Sequence, residues 1–163
     1  MIQIKQSTTK KAFQTIESLA DVIWKEHYIP MLGKPQIEYM LDKFQTAEAI
    51  KRQVEDGMLY FLLYFDVLEV GYFAIKPEKE ALFLSKIYIL KSHRNKGVAK
   101  KAMEFIVNYA KEQQLQNIRL TVNINNIHAI EAYKKLGFEI TKPLVADIGN
   151  GFVMDDFEMV KIL

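Results

Sequence analysis

Apolar and polar residues alternate from Ile2 to Gln6, a period of two that predicts a short strand. The period then lengthens. Phe13, Ile16, Leu19, Ala20, Ile23 and Trp24 fall on one stripe at helical spacing, preceded by Ser7, Thr8 and Thr9 as N-cap candidates. Gly33 and Pro35 break this helix. Ile37, Met40, Leu41 and Phe44 mark a second, and Ala49, Ile50 and Val54 mark a third capped by Thr46, with Gly57 as its stop.

From Met58 the texture changes to Tyr, Phe, Leu, Val and Ile. Three strands are predicted, Met58 to Phe65, Val67 to Ile75 and Ala81 to Leu90, split by Asp66 and by Lys76-Pro77-Glu78. Such short connections make them antiparallel. Val98, Ala102, Phe105, Ile106 and Tyr109 then define a helix whose other face carries Lys100, Lys101, Glu104, Asn108 and Lys111. Ile118 to Val122 follows as a strand, and Asn126 caps a helix through Ile127, Ile130, Tyr133 and Leu136, stopped by Gly137. Phe138 to Ile148 and Phe152 to Ile162 close the chain as two strands around Gly149-Asn150-Gly151. The order is β, two or three helices, βββ, α, β, α, ββ. Strand, helix and strand over residues 81–122 require one parallel crossover, so the expected fold is a single α/β (α+β) domain over 1–163 with a mixed sheet of about seven strands.

Composition narrows the function. The 22 basic and 20 acidic residues are interspersed and leave a net charge of +2, which argues against a nucleic-acid-binding face. There is no cysteine, so disulfides, thiolate zinc sites and a cysteine nucleophile are excluded. The start MIQIKQSTTKK lacks the apolar core of a signal peptide, and no run approaches a membrane span. A cytoplasmic protein with no membrane partner is the expectation. His27, His93 and His128 show no metal-ligand spacing.

One turn carries candidate chemistry. Ser92-His93-Arg94-Asn95-Lys96-Gly97-Val98-Ala99 joins a strand to a helix. A helix N-terminus presents unpaired N–H groups and partial positive charge, and Gly97 allows a ligand to approach the backbone. Arg94 and Lys96 add charge, so the turn reads as an anion cradle, with a solvated basic loop as the alternative. It is neither a Walker motif nor a dinucleotide fingerprint.

The turn, together with Asn126 and Ala132-Tyr133-Lys134-Lys135-Leu136-Gly137-Phe138, resembles the GNAT superfamily of acyl-CoA-dependent N-acetyltransferases. The likeness is sharp from Leu84 to Phe138: Arg94, Gly97 and Ala99 match Q/R-x-x-G-x-G/A, and Tyr133 to Phe138 match the second signature. The resemblance implies acetyl-CoA as cosubstrate, its pyrophosphate on backbone amides of Arg94, Asn95, Lys96, Gly97, Val98 and Ala99. It further implies that Ile87, Tyr88 and Ile89 form the cofactor-binding strand, with main-chain groups of Ile87 and Ile89 meeting pantetheine and the acetyl carbonyl. Asn126 would hold the pantetheine arm, Tyr133 would act as the acid toward the CoA sulfur, and Lys135 would lie near the adenosine phosphate.

Acetyl transfer needs a neutral amine, an oxyanion donor and a proton for the thiolate. Members of the family commonly place a glutamate on the strand before the turn. Here that segment reads Leu84-Ser85-Lys86-Ile87-Tyr88, which leaves the base unassigned. Glu38, Asp42, Asp155 and Asp156 lie in regions that border the acceptor pocket in the family. They are candidate substrate-binding carboxylates, with solvated surface charge as the alternative reading. Tyr28, Tyr39, Tyr72 and Tyr88 are candidates for pocket lining or for core. YMLDKFQTAEAI and GFVMDDF look like the bacterial polyamine-acetyltransferase branch. The expectation is therefore an N-acetyltransferase acting on a small primary amine. A protein or peptide acceptor, or a silent CoA-binding sensor, are the alternatives. Related proteins are often dimers, which makes a homodimer the candidate assembly.

Overall fold

The computed structural model describes residues 1–163. Its elements are β1 (Ile2–Gln6), α1 (Lys10–Leu32), α2 (Lys34–Phe44), α3 (Ala47–Glu55), β2 (Leu59–Phe65), β3 (Leu68–Pro77), β4 (Ala81–Ile89), α4 (Val98–Glu112), β5 (Asn117–Asn123), α5 (Ile127–Lys135), β6 (Glu139–Gly149) and β7 (Phe152–Ile162). The seven strands form one mixed sheet in the order β1-β2-β3-β4-β5-β7-β6. Only β4 and β5 are parallel. No helix is long and apolar enough to cross a membrane.

The apolar stripe read from the sequence is what seats α1. Its six buried residues are Phe13, Ile16, Leu19, Ala20, Ile23 and Trp24. Each large apolar side chain contributes roughly 1.5–3 kcal/mol on burial, so together they outweigh the ~1 kcal/mol of the cap. That cap is Thr9, whose hydroxyl accepts from the Ala12 N–H at 3.2 Å.

Strand alternation sorts the sheet into two faces. Phe61, Leu63, Phe73 and Ile75 point to a core shared with α4 and α5. Tyr60, Leu62, Tyr72 and Ala74 point to a second core under α1, α2 and α3. The second core holds a closed polar chain. Trp24 Nε1 donates to Tyr72 Oη (3.0 Å), Tyr72 donates to Gln45 (2.6 Å), Gln45 donates to Tyr60 (3.1 Å), and Tyr60 donates to Gln53 (2.5 Å).

Some strand ends and one helix face differ from the sequence reading. Val67 belongs to the two-residue turn with Asp66, which takes a φ of 56°, and β3 starts at Leu68. β3 also continues to Pro77, which pairs with Leu82, so the turn falls after the proline. On α4 the fully buried side is Val98, Ala102, Met103, Ile106 and Ala110, which leaves Phe105 and Tyr109 at the margin.

The feature that positions the site is a split in the sheet. β4 and β5 pair only over Ala81–Leu84 and Asn117–Leu120. Beyond this, β4 stays with β3 as far as Ile89, while β5 stays with β7 as far as Asn123. A bulge sits at the fork: Ile75 pairs with Leu84 and Ala74 with Lys86, so Ser85 is the extra residue. β4 is held close to β3 because Gly71 has no side chain; a Cβ there would lie 2.3 Å from the Tyr88 carbonyl oxygen.

Candidate active site

The split leaves peptide groups of β4 without a strand partner. The Leu90 N–H bonds the Val70 carbonyl of β3 at 2.8 Å. At a period of two, Tyr88 also turns its peptide groups to β3, and Ile87 and Ile89 turn theirs to the opposite edge, which β5 has left. The Ile89 carbonyl accepts Arg94 Nε at 3.3 Å. The two Ile87 groups and the Ile89 N–H remain for a ligand laid along the edge. The Tyr88 side chain lies on the α1 face and not at this edge.

The basic turn continues from that edge. Asn95 and Gly97 both take positive φ, 61° and 84°. Gly97 is the N-cap of α4 and supplies no side-chain acceptor. The first amide of the helix that finds a backbone carbonyl is Lys101, bonded to Gly97 at 3.1 Å. The N–H groups from Asn95 through Lys100, six in a row, are bonded to nothing in the protein. With the helix dipole behind them these amides are free to donate to an anion. The basic side chains support the turn as well as charging it. Arg94 ties it to β4, and Lys96 Nζ lies 5.5 Å from the Phe65 ring centre.

The segment Tyr133-Lys134-Lys135-Leu136-Gly137-Phe138 forms a Schellman motif. The Phe138 N–H bonds the Tyr133 carbonyl and the Gly137 N–H bonds the Lys134 carbonyl, both at 3.0 Å, with Gly137 at a φ of 96°. The Tyr133 and Phe138 rings meet edge-on at 5.6 Å, the apolar contact that completes such a cap. The spacing of these residues therefore fixes where Tyr133 points. Burial, and then the field of Tyr28, raise the Tyr133 hydroxyl well above its ordinary range, so it holds its proton at neutral pH. Lys135 is exposed in the same last turn.

Asn126 is buried. Its Oδ1 caps Ala129 at 3.4 Å, and its Nδ2 meets His27 Nε2 at 3.1 Å. One Nδ2 proton and one Oδ1 lone pair remain for a ligand. His27 thus ties α1 to α5, a link that a search for metal spacing does not reveal. Its position three residues after Trp24 and four after Ile23, continuing the buried stripe, was the available signal. Burial, then the Arg94 charge, push His27 below its ordinary pKa.

The face toward α1 gathers phenols and one carboxylate. Tyr28 and Tyr88 hydroxyls lie 3.0 Å apart, and the Tyr88 ring packs on Trp24 and Tyr72. Asp156, on β7, pairs with Asn123 at the end of β5 and is buried. Its Oδ1 has no hydrogen-bond partner. Burial, then Asp155, push its carboxyl up to about 6.

The four carboxylates read as one candidate group are not brought together. Asp155 turns to the opposite side of β7 and is exposed. Glu38 and Asp42 line an open polar groove of about 590 Å³ with Glu17, Asp21 and Lys25 on the outer side of α1 and α2, and Glu38 reaches Lys34 at 3.8 Å. Lys86, within the segment Leu84–Tyr88 that precedes the turn, also points elsewhere. It crosses Ala74 to reach Tyr60 Oη at 3.3 Å and bonds Ser85 at 2.8 Å.

The acetyltransferase (GNAT) family model matches residues 16–138, which include the split, the turn and the Schellman cap. The chain belongs to the GNAT family. A PaiA N-acetyltransferase from Thermoplasma acidophilum, solved in complex with coenzyme A, shares the fold with a TM-score of 0.83 over 100% of this chain and 99% of that one, at 20% identity. A probable N-acetyltransferase, san, of Drosophila melanogaster is 35% identical over 92 residues, 53% of this chain and 50% of that protein. A probable spermine N(1)-acetyltransferase of Bacillus subtilis subsp. natto is 29% identical over 91 residues, 50% of this chain and 60% of that protein. The chain spans about half the length of the curated relatives it matches.

As a GNAT domain the structure divides cleanly at the split. One side has the free β4 edge, the amides from Asn95 to Lys100, and Asn126. The other has Tyr28, Tyr88 and Asp156. Tyr133 stands between, within the field of Tyr28 and Tyr88.

Proposed function

We propose that this protein is an acetyl-CoA-dependent N-acetyltransferase, working as a single domain, that acetylates a primary amine of a small molecule by direct attack in a ternary complex. The observation that carries the reading is the run of six unbonded amides from Asn95 to Lys100, set against the unpaired edge of β4. A pyrophosphate fits such a run because each N–H can donate to a phosphoryl oxygen at no cost in displaced protein bonds. The pantetheine arm, an amide chain, fits the Ile87 and Ile89 peptide groups as an added strand would.

Acetyl-CoA supplies an activated acyl carbon, and the reaction is acetyl-CoA plus R–NH₃⁺ giving R–NH–COCH₃, CoA–SH and H⁺. In this reading the Ile89 N–H donates to the developing oxyanion. Tyr133, kept protonated by burial, in this reading donates to the departing thiolate. A small amine, of the polyamine type, is supported by the relative called a probable spermine N(1)-acetyltransferase.

Thermal melting with acetyl-CoA tests the first half. A ligand at 100 times its Kd adds ~2.7 kcal/mol to the folded state, and at ~2–4 °C per kcal/mol for a chain of this size Tm rises by roughly 5–10 °C. No shift at millimolar acetyl-CoA refutes the assignment. Thiol release with spermidine, amino acids, aminoglycosides and peptide N-termini tests the second half. Release with peptides alone transfers the activity to a protein acceptor, and binding without release from any amine makes the domain a sensor.

A further inference from the structure

A buried ionisable group with no partner calls for an explanation, because native folds satisfy such groups. Asp156 is the case here: it forms no ion pair, and its Oδ1 is sealed from solvent without a hydrogen bond. Asp155, its neighbour, is exposed and adds only repulsion.

Its surroundings identify what is missing. Side chains two apart on a strand share a face, so Asp156 stands on the same side of β7 as Met154, which packs against the core under α1 and α2. On that side its charge reaches Tyr28, whose hydroxyl meets Tyr88 at 3.0 Å. From α1, then, Tyr28 faces it, with His27 next to Tyr28 but bonded to Asn126. From β4 comes Tyr88, while Lys86 on the same face is drawn away to Tyr60. From β5 comes Asn123, whose Oδ1 is taken by the Asn125 N–H. Along β7, Glu158 is engaged by Thr141 and Arg119. None of these groups delivers a cation to Asp156. The site is an unpaired carboxylate on the face that carries the phenols of Tyr28 and Tyr88. Carboxylate and aromatic faces together select a cationic nitrogen.

We infer that Asp156 is a catalytic residue of this site: its carboxylate, through the oxygen that is not sealed, anchors the primary alkylammonium of the acceptor and takes the proton that must leave before the nitrogen can attack. This rests on the proposed acetyl transfer and adds the base that it lacks. The N–H bond breaks, the proton passes to the carboxylate oxygen, and the products are a neutral amine with its lone pair and a carboxylic acid that returns the proton to solvent. A carboxyl near 6, against an ordinary 3.8, is a base stronger by ~10²-fold.

The test combines Asp156→Asn, Asp156→Glu and the wild type. With spermidine as acceptor, Asp156→Asn is expected to lose at least ~10²-fold in kcat/KM and the acidic limb of the pH–rate profile near 6, Asp156→Glu to recover part of the rate, and the acetyl-CoA melting shift to stay. A side chain that served packing alone would lower Tm when changed; relief of a buried charge raises it at pH 7. Equal kcat/KM and an unchanged acidic limb in Asp156→Asn overturn the inference while leaving the acetyl-transfer reading intact. If the wild type shows no acetyl-CoA shift, that reading falls instead, and the anchor is still decided by carbon-13 titration of the Asp156 carboxyl. Saturating spermidine is expected to move that titration downward; a titration that stays in place overturns the anchor.

Discussion

Lys86 offers a quantitative check on the electrostatics of the helix-covered face. Its ammonium is half-buried, with two neutral oxygens as partners and no carboxylate, and burial brings its pKa from the ordinary 10.5 down to about 8. The unfolded chain holds the proton more tightly than the fold does between those values, so stability rises with pH across that window and is lowest below it. The full difference corresponds to ~3 kcal/mol at ~1.36 kcal/mol per pH unit, and partial solvent access reduces it to ~1–3 kcal/mol. Lys86→Met keeps the stem packed over Ala74 and removes the charge. Tyr60 retains Gln45 and Gln53, while the partly exposed Ser85 hydroxyl gives up its bond to Lys86. At pH 7 the variant is expected to melt roughly 2–10 °C higher. Urea titrations of both proteins from pH 7 to 10.5 should show the gap closing as the wild-type ammonium deprotonates in the fold. Using the difference between them cancels the tyrosines, which titrate in both. A variant less stable at pH 7, or a gap that ignores pH, refutes the account.

Two further outcomes test the site. Gly97→Val places a β-branched residue at a φ of 84°, which costs ~1–2 kcal/mol in apo stability, and it should also abolish most of the acetyl-CoA melting shift; a full shift would show that the turn does not hold the ligand. Tyr133→Phe keeps the ring on Phe138 and removes the proton donor, so kcat should fall ~10²-fold or more with little change in acetyl-CoA affinity, measured by stopped-flow thiol release and calorimetry.

Most elements were legible because each obeys a local rule. The α1 stripe, the Thr9 and Thr46 caps and the Gly137 stop all lie where the periodicity and turn chemistry put them. The free amides of the basic turn were legible for the same reason, since they follow from a helix that starts at a glycine with no side-chain cap. What escaped depends on residues far apart in sequence. Whether Asp156 is solvated or sealed is set by α1, β5 and β6 together, and the sequence neighbour Asp155 has the opposite fate. Glu38 and Asp42 look equally eligible along the chain, and only helix packing turns them outward.

The bulge at Ser85 shows how a small break in pattern organises the whole site. Leu82 and Leu84 face the core under α4, and so do Ile87 and Ile89, although the parity of their numbers differs. That spacing of three between Leu84 and Ile87 was readable in the sequence as a flaw in the alternation, and its consequences are structural. Past the bulge, the Ile87 and Ile89 peptide groups meet the open edge. Lys86 falls on the α1 face, where Ala74 is small enough to let it reach Tyr60. Lys86 and Asp156 then share a face, and the bonds of Lys86 to Tyr60 and Ser85 draw the lysine away from the carboxylate. An ion pair between them would neutralise the carboxylate and occupy the place of an incoming ammonium, and by holding Lys86 on Tyr60 the fold keeps one buried charge unpaired so that a ligand can complete it.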